Sequence, residues 1–207
     1  MENPDLKGKG QMDRRDIKIR VASVQDAQAL LDIYTPYVEN TAVTFEYEVP
    51  SLKEFTERIC RIQRKYPYLV AEVDGEILGY AYANAFHERP ACGWAVETSI
   101  YVSREKKGMG IGSKLYQMLE KLLAEQNILN LNAAIAYPEE EDEYLTKDSV
   151  KFHQHLGYCV VGEFHQCGYK FHRWYHLVWM EKHIGIHQKY QPPVKTFDEI
   201  KLRAILS

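Results

Sequence analysis

A glycine-rich turn and a nearby glutamate have the clearest capacity for chemistry in this sequence. Gly108, Gly110 and Gly112 follow a β-rich run and directly precede an amphipathic helix pattern. Backbone N–H groups in such a turn, together with the positive end of the helix dipole, can bind a pyrophosphate. Glu97 lies in the β-rich run among apolar residues. A strand glutamate usually faces solvent, but one that is removed from water has a raised pKa and becomes a better proton acceptor.

Two well-known phosphate-binding loops do not fit this turn. A Walker loop requires lysine directly after its last glycine, whereas Ser113 follows Gly112 and Lys114 comes one place late. The dinucleotide-binding fingerprint requires glycine at position 113, and the strand predicted at 130–137 does not end in an acidic residue that could bind a ribose. Two interpretations of the turn remain. It is either a pyrophosphate site at a helix N-terminus or a glycine-rich connector with a basic, solvated face.

The elements that must position these residues alternate between strands and helices. Asp74-Gly75 predicts a tight hairpin turn, and Ser51 with Glu54 predicts a helix start. Hydrophobic periodicity predicts helices at 23–39, 51–66, from 111 onward and at 147–157. It predicts strands at 17–22, within 68–86, at 93–103 and 130–137, and a final pair at 158–166 and 168–182.

Composition narrows the class of protein. The chain has 207 residues, 45% of them hydrophobic, which is enough for one well-buried core and makes one domain the simplest expectation. A net charge of -3 gives no reason to expect a nucleic-acid or membrane partner. Residues 1–15 contain charge and glycine but no apolar signal segment, so we expect a disordered leader and a cytoplasmic protein with reduced cysteines.

The histidines and aromatic residues near the C-terminus do not form a recognisable motif. The aromatic run 169–180 is typical of a buried strand pair rather than a platform for stacking nucleic-acid bases. The spacing of the His and Cys residues fits neither a zinc finger nor the H-E-x-x-H pattern, so we expect no metal. These residues are His165, Cys167, His172, His176, His183 and His187.

Two stretches together resemble the GNAT superfamily of N-acetyltransferases. The run Lys107-Gly108-Met109-Gly110-Ile111-Gly112 resembles the superfamily's [QR]-x-x-G-x-[GA] signature, with lysine in the first position. Residues 146–158, "TKDSVKFHQHLGY", resemble its second pattern, with Thr146 at the usual asparagine and His153 at the usual tyrosine. The histidine in that helix, together with the hairpin "YPYLVAEVDGEILGYAYA" and the run "GYKFHRWYHLVWMEK", is similar to the phosphinothricin and methionine sulfoximine N-acetyltransferases.

The resemblance implies a fold and a domain. We expect an α/β (α+β) acyl-CoA N-acyltransferase fold, with a mixed, mostly antiparallel twisted sheet of about seven strands flanked by about four helices. The acetyltransferase domain would span 16–183, and 184–207 would be a C-terminal extension with at most one short helix. Departures from the subfamily lie in an acidic insertion at 138–146 and in His172 and His176.

The resemblance also implies roles for individual residues. Glu97 would be the general base, with His153 and Tyr101 as further catalytic residues, and acetyl-CoA would be the acetyl donor. Substrate contacts are expected from Phe86 and Arg89, and from Tyr169. The expected acetyl-CoA contacts are Ser99, Ile100, Tyr101, Val102, Lys107, Gly108, Met109, Gly110, Ile111, Gly112, Ser113, Thr146 and Ser149.

The function that these expectations favour is acetylation of the primary amine of a small, amino-acid-like molecule by a homodimer. Such an amine, with a pKa near that of lysine at about 10.4, is mostly protonated at neutral pH, so a base must remove its proton before it can attack a thioester. Two alternatives remain at this point. One is acetylation of a peptide or protein, and the other is a non-catalytic acyl-CoA-binding module with a regulatory role.

Overall fold

The computed structural model describes residues 17–106 and 108–200. Their seven strands form one sheet in the order β1-β2-β3-β4-β5-β7-β6. The strands are β1 Lys18–Val21, β2 Tyr68–Val73, β3 Glu76–Ala85, β4 Ala95–Val102, β5 Asn130–Tyr137, β6 Cys159–Lys170 and β7 Arg173–His183. The four longer α-helices of this part of the chain are α1 Ala27–Asn40, α2 Leu52–Gln63, α3 Ile111–Glu125 and α4 Asp148–His155.

The sheet is mixed and mostly antiparallel, which confirms the predicted fold class. Every neighbouring pair of strands is antiparallel except β4 and β5. The predicted Asp74-Gly75 turn is correct, since both residues take positive φ, at 51° and 83°. The Ser51 side chain caps α2 by accepting a hydrogen bond from the Glu54 backbone N–H. The first helix is shorter than predicted, because Val24–Asp26 form a 3-10 turn and α1 begins only at Ala27.

The last hairpin turns at a different place from the one predicted. The sequence suggested a break near Cys167 and Gly168, but β6 continues to Lys170. The turn is made by Phe171 and His172, which both take positive φ, at 52° and 60°. Such a turn usually contains asparagine or glycine, and neither is present at these two positions. Gly168 lies instead at the end of an irregular stretch of the β6–β7 pairing.

The helices cover the two faces of the sheet. Tyr34 of α1 and Phe55 of α2 lie against Tyr101 and Tyr80, whose side chains project from one face. On the other face, a Cβ on Gly79 would lie 3.2 Å from Ile111, the first residue of α3. The predicted apolar stripe of α3 is fully buried and forms the centre of the core: Ile111, Leu115, Leu119 and Leu122.

The segment after β7 packs onto the body of the domain as far as residue 200. The Trp94 indole N–H donates to the Pro192 carbonyl, and the Gln126 amide donates to the Lys195 carbonyl. Residues 197–200 are helical, with Phe197 and Ile200 buried in the core. The predicted leader at 1–15 and the end of the extension at 201–207 lie outside the described residues. No helix in the described ranges is both long and apolar enough to cross a membrane.

Candidate active site

A cavity of about 560 Å³ opens beside Glu97, between the sheet and helices α1 and α2. Its size is within the usual range for small-molecule sites. Glu97, Ser99 and Tyr101 alternate along β4 and therefore share the face that lines the cavity. The other lining residues are Tyr34, Val43, Thr44, Phe45, Glu46, Glu54, Phe55, Arg58, Arg61, Ile62, Tyr68, Tyr80, Tyr82, Asn84, Ala134, Ala136 and Leu177.

Glu97 occupies a partly desolvated position in this cavity. Burial raises the pKa of its carboxyl group above the ordinary glutamate value. The residue opposite it on β3 is Asn84, which is uncharged. Within the described ranges, Glu97 makes no ion pair that would counter this shift. A carboxylate with a raised pKa accepts a proton more readily than one in water, so the position suits a general base.

Tyrosines form much of the cavity wall. Tyr101 packs edge-on against Tyr34, with ring centroids 4.9 Å apart, and Tyr68 stacks on Tyr82 at 4.8 Å. Burial raises the pKa of the Tyr34 hydroxyl to about 12 and raises the pKa of Tyr101 well above its usual value. These hydroxyls are therefore neutral near pH 7. They can donate or accept hydrogen bonds without adding charge near Glu97.

The sheet opens next to Glu97. β4 and β5 are paired only over Ala95–Glu97 and Asn130–Asn132. Beyond Glu97, the side of β4 that faces β5 has no strand partner from Thr98 to Val102, while β3 pairs with the other side of β4. The Val102 carbonyl accepts a hydrogen bond from the Tyr37 hydroxyl at 2.6 Å. Unpaired strand backbone of this kind can bind an extended ligand through N–H and C=O groups. This is the stretch, 99–102, for which backbone contacts to acetyl-CoA are predicted.

The glycine turn lies between the open strand and the start of α3. Gly108 and Gly110 both have left-handed backbones, with φ of 81° and 82°. Gly110 is the N-cap residue and cannot cap the helix with a side chain. The first N–H groups of α3, including those of Ile111, Gly112 and Ser113, have no partner within the helix and suit an anion. Met109 packs against the core, and Lys107 lies outside the described residues.

Gly112 has a different role from the other two glycines. A Cβ at this position would lie 2.9 Å from the Phe152 ring and 3.4 Å from Ile100. The missing side chain therefore lets α4 approach the first turn of α3. This contact connects the glycine turn to the second sequence pattern that the resemblance rests on.

The structure places His153 on the opposite face of the sheet from Glu97. The imidazole is buried, its Nδ1–H donates to the Ser149 carbonyl at 2.7 Å, and its Nε2 accepts from the Tyr116 hydroxyl at 2.8 Å. The carbonyl can only accept, which fixes this tautomer. Burial lowers the pKa of His153, so it is neutral near pH 7. His153 and Glu97 therefore do not line a common cavity.

A chain of hydroxyl groups leads from this region to the opening in the sheet. Tyr116 and Tyr158 both lie 3.3 Å from the Thr98 hydroxyl, which donates to the Asn132 carbonyl. Thr98 and Asn132 lie at the point where β4 and β5 separate. Polar groups from both faces of the sheet thus meet at the opening, with Glu97 on one side and the Tyr116–His153 pair on the other.

The remaining residues that the sequence predicted for acetyl-CoA or substrate binding lie outside the Glu97 cavity. Thr146 lies two residues before α4, where its hydroxyl accepts from the Asp148 N–H at 3.4 Å, and Ser149 is the second residue of the helix. Phe86 packs against Trp179 rather than lining the cavity. Arg89 lies in the exposed loop before β4 and is not a lining residue either.

Tyr169 lines a second, shallower cavity on the outer hairpin. Tyr47, Tyr144 and His172 also contribute to this cavity. The structure therefore does not bring Phe86, Arg89 or Tyr169 together with Glu97, and their roles in substrate binding stay predictions.

Two arginines of α2 were not predicted as site residues, although both line the cavity. Arg58 is paired with Glu46 at 2.6 Å and with Glu54 at 2.9 Å. Arg61, one turn later, is exposed and makes no hydrogen bond or ion pair within the described ranges. Their spacing of three on an amphipathic helix is visible in the sequence. The sequence does not show which part of the sheet this face of α2 packs against, and only the fold places the two arginines at the cavity.

Comparison with known proteins identifies this arrangement. A family model described as an acetyltransferase (GNAT) domain matches residues 19–179. The chain belongs to the GNAT acetyltransferase family. It is therefore an acetyl-CoA-dependent acetyltransferase, and the resemblance of its sequence motifs to this family is confirmed.

Three similar proteins illustrate the relationship. A phosphinothricin N-acetyltransferase from Streptomyces viridochromogenes is 36% identical over 163 residues, covering 79% of this chain and 85% of that protein. The crystal structure of a GNAT phosphinothricin acetyltransferase from Sinorhizobium meliloti in complex with acetyl-CoA has a TM-score of 0.77 at 30% identity, covering 88% of this chain and 98% of that one. A ribosomal-protein-alanine N-acetyltransferase from Brucella melitensis has a TM-score of 0.71 at 31% identity, covering 80% and 99%.

Proposed function

We propose that this GNAT enzyme transfers the acetyl group of acetyl-CoA to the primary amine of a small, amino-acid-like molecule of the phosphinothricin or methionine sulfoximine type. The observation that carries the proposal is the cavity beside Glu97, which is of small-molecule size and adjoins the opening between β4 and β5. The 36% identity with a phosphinothricin N-acetyltransferase supports the substrate class.

In the proposed reaction, Glu97 accepts a proton from the substrate ammonium group, directly or through water. The neutral amine then attacks the thioester carbonyl and a C–N bond forms. As the C–S bond breaks, the CoA thiolate departs, and the nitrogen loses its second proton, which goes to the thiolate. Backbone groups of 99–102 orient the thioester beside the amine, and the N–H groups at the start of α3 bind the pyrophosphate. The acetyl group passes directly between substrates, without a covalent enzyme intermediate.

The thiolate leaves on the side of the opening where Thr98 and the Tyr116–His153 pair lie. A Tyr116 hydroxyl that already donates to His153 is coupled to that buried imidazole. We propose that this cluster relays the proton lost by the substrate nitrogen to the thiolate, with Tyr101 binding substrate or water on the Glu97 side. The Tyr116–His153 pair lies on the far face of the sheet from Glu97, and this location supports the division of roles.

The charged residues of α2 support an amino-acid-like substrate. Arg58 is held by two carboxylates, whereas Arg61, which also lines the cavity, has no such partner within the described ranges. A guanidinium group binds a carboxylate well because its N–H groups match the two oxygens. We propose that Arg61 binds the carboxylate of the substrate while its amine approaches Glu97.

Thiol release from acetyl-CoA over a panel of amines tests the proposal. The panel would contain phosphinothricin, methionine sulfoximine, the matching amines without a carboxylate, and an alanine-starting peptide. Turnover that is highest with the two amino-acid analogues supports the proposal. Turnover confined to the peptide would instead favour protein acetylation, the second candidate, which the similarity to the ribosomal-protein-alanine N-acetyltransferase supports.

A homodimer in the cytoplasm is part of the same proposal. Edge strand β6 exposes apolar side chains, among them Val160, Val161 and Phe164, which are 52%, 54% and 58% exposed. Apolar side chains at a sheet edge suit an interface between subunits. Light scattering coupled to size-exclusion chromatography should give twice the chain mass, and a single-chain mass would contradict the dimer.

A further inference from the structure

The β6–β7 hairpin brings together three side chains of types that can bind a metal. Their spacing in the sequence does not match a known metal-binding motif. Glu163 and His165 belong to β6 and His176 to β7, and one ligand atom from each lies within 4.8 Å of the others. The Glu163 Oε1 atom is 3.0 Å from His176 Nδ1 and 3.7 Å from His165 Nε2. Tetrahedral zinc with bonds of about 2.0–2.2 Å holds its ligand atoms about 3.3–3.5 Å apart. The two measured separations bracket that range.

The pairing of β6 with β7 brings these three side chains together beside a bulge in β6. Phe164 pairs with Leu177 and Gly168 pairs with Tyr175, so residues 165–167 lie opposite His176 alone. Gln166 in the middle of the bulge has a positive φ of 49°. Because Phe164 pairs with Leu177, a regular continuation of β6 would place His165 directly opposite His176, with Glu163 on the same face. The bulge bends β6 at this point but leaves the three side chains within reach of one another.

His176 provides an independent indication of a ligand. The residue is 9% exposed, and its Nδ1 atom is buried without a hydrogen-bond partner in the described part of the chain. The nearby Glu163 oxygen is close enough, but it does not lie in a hydrogen-bonding direction. A buried polar nitrogen without a partner is costly. A cation shared by the imidazole and the carboxylate would remove that cost.

We propose that Glu163, His165 and His176 bind a divalent transition metal, with zinc as the representative ion. Two imidazoles and one carboxylate are suitable zinc ligands and leave a fourth position for water. The His165 side chain is 72% exposed, so the imidazole can rotate to complete the site. His176 projects from the opposite face of β7 to its neighbour Leu177, which lines the Glu97 cavity. The metal therefore holds the two strands of the hairpin together and takes no part in acetyl transfer.

Zinc titration of the metal-free full chain by calorimetry tests this site. We expect one zinc ion per chain and a higher thermal unfolding temperature in its presence. His165→Ala and Glu163→Gln should each weaken zinc binding at least about tenfold, since loss of even an outer partner of a metal ligand costs about that much. Both residues are exposed, so these variants should fold, whereas His176→Ala removes a buried side chain.

His183→Ala is the matched control, because His183 lies on the same hairpin and contacts Glu181 at 3.6 Å. It should leave zinc affinity unchanged. Several results would overturn the proposal: no zinc binding by the wild-type chain, binding that survives both ligand variants, equal weakening in the control, or binding of Mg²⁺ in preference to Zn²⁺.

Discussion

At the scale of single residues, the cavity has charged groups from two sides. Glu97 lies next to the opening of the sheet among neutral tyrosines, whereas Arg58, paired with Glu46 and Glu54, and Arg61 line the cavity from the helix side. In the proposed reaction, the substrate amine approaches Glu97 and the substrate carboxylate binds Arg61. This division is the physical basis for expecting an amino acid rather than a simple alkylamine.

Arg61→Ala should raise the KM for an amino-acid substrate about tenfold while leaving kcat nearly unchanged, because a charge-assisted hydrogen bond contributes about 1.5–3 kcal/mol. Initial rates over a range of amine concentrations measure both constants. Arg64→Ala is the control, since Arg64 is exposed on the same helix end but does not line the cavity. A fall in kcat without a change in KM would contradict the assignment of Arg61.

His153 should make stability depend on pH. Burial lowers the pKa of His153 in the folded chain, so the unfolded chain binds its proton first as the pH falls below about 6.5. The stabilising effect of a neutral His153 is complete above that pH and is lost as the pH falls toward the folded-state pKa. We expect the stability difference between wild type and His153→Gln to shrink from pH 7 to pH 5 in urea unfolding experiments. A difference that stays constant over this range would show that His153 does not titrate as described.

At the scale of elements, the close packing of α4 against α3 depends on the absence of a side chain at Gly112. The Phe152 ring occupies the space where a Cβ of Gly112 would lie, at 2.9 Å. The same ring contacts Tyr116 edge-on at a centroid distance of 5.7 Å. The position of α4, and with it the hydrogen bond between His153 and Tyr116, therefore depends on a glycine at this position.

Gly112→Ala should lower the free energy of unfolding by about 1–3 kcal/mol, the usual cost of overpacking. Chemical denaturation measures the change. Phe152→Leu in the same chain should recover part of the loss, because the shorter side chain leaves room for the added methyl group. If Gly112→Ala is as stable as wild type, the close contact between α3 and α4 is not a constraint on this position.

The elements themselves could be predicted well from local patterns. The run 130–137 is β5 with the predicted bounds, and the apolar stripe of α3 is buried as its spacing requires. The final hairpin was misplaced because its turn is made by Phe171 and His172, whose residue types favour other conformations. The packing of α2 on β2 and β3, which brings Arg61 to the cavity, and the bulge opposite His176 depend on long-range packing that no local pattern encodes.

At the scale of the whole molecule, the segment after β7 is part of the folded domain. Its backbone carbonyls accept hydrogen bonds from the side chains of three residues. Trp94 directly precedes β4, and Gln126 and Asn127 directly follow α3. Phe197 is only 1% exposed. The family model ends at residue 179, so this packing adds to the core beyond the region that the model matches.

Phe197→Ala should therefore destabilise the protein by about 3–5 kcal/mol, the typical cost of removing a buried aromatic ring. Thermal or chemical unfolding of the full chain measures it. Tyr190→Ala, in the same segment but 82% exposed, should stay within about 0.5 kcal/mol of wild type. Equal stability of the two variants would mean that the segment does not contribute to the core in solution.

The central claim is that acetyl transfer takes place in the cavity of Glu97, with this carboxylate as the base. The most direct test is the rate of thiol release from acetyl-CoA with methionine sulfoximine, compared between wild type and Glu97→Gln at several pH values. We expect kcat to fall by about 100- to 10,000-fold in the variant, with nearly unchanged affinity for acetyl-CoA. Because burial raises the pKa of Glu97, wild-type activity should decline with falling pH from a higher pH than for an ordinary glutamate, and the variant should lack this decline. A variant with wild-type turnover, or one that loses acetyl-CoA affinity as much as rate, would contradict the assignment.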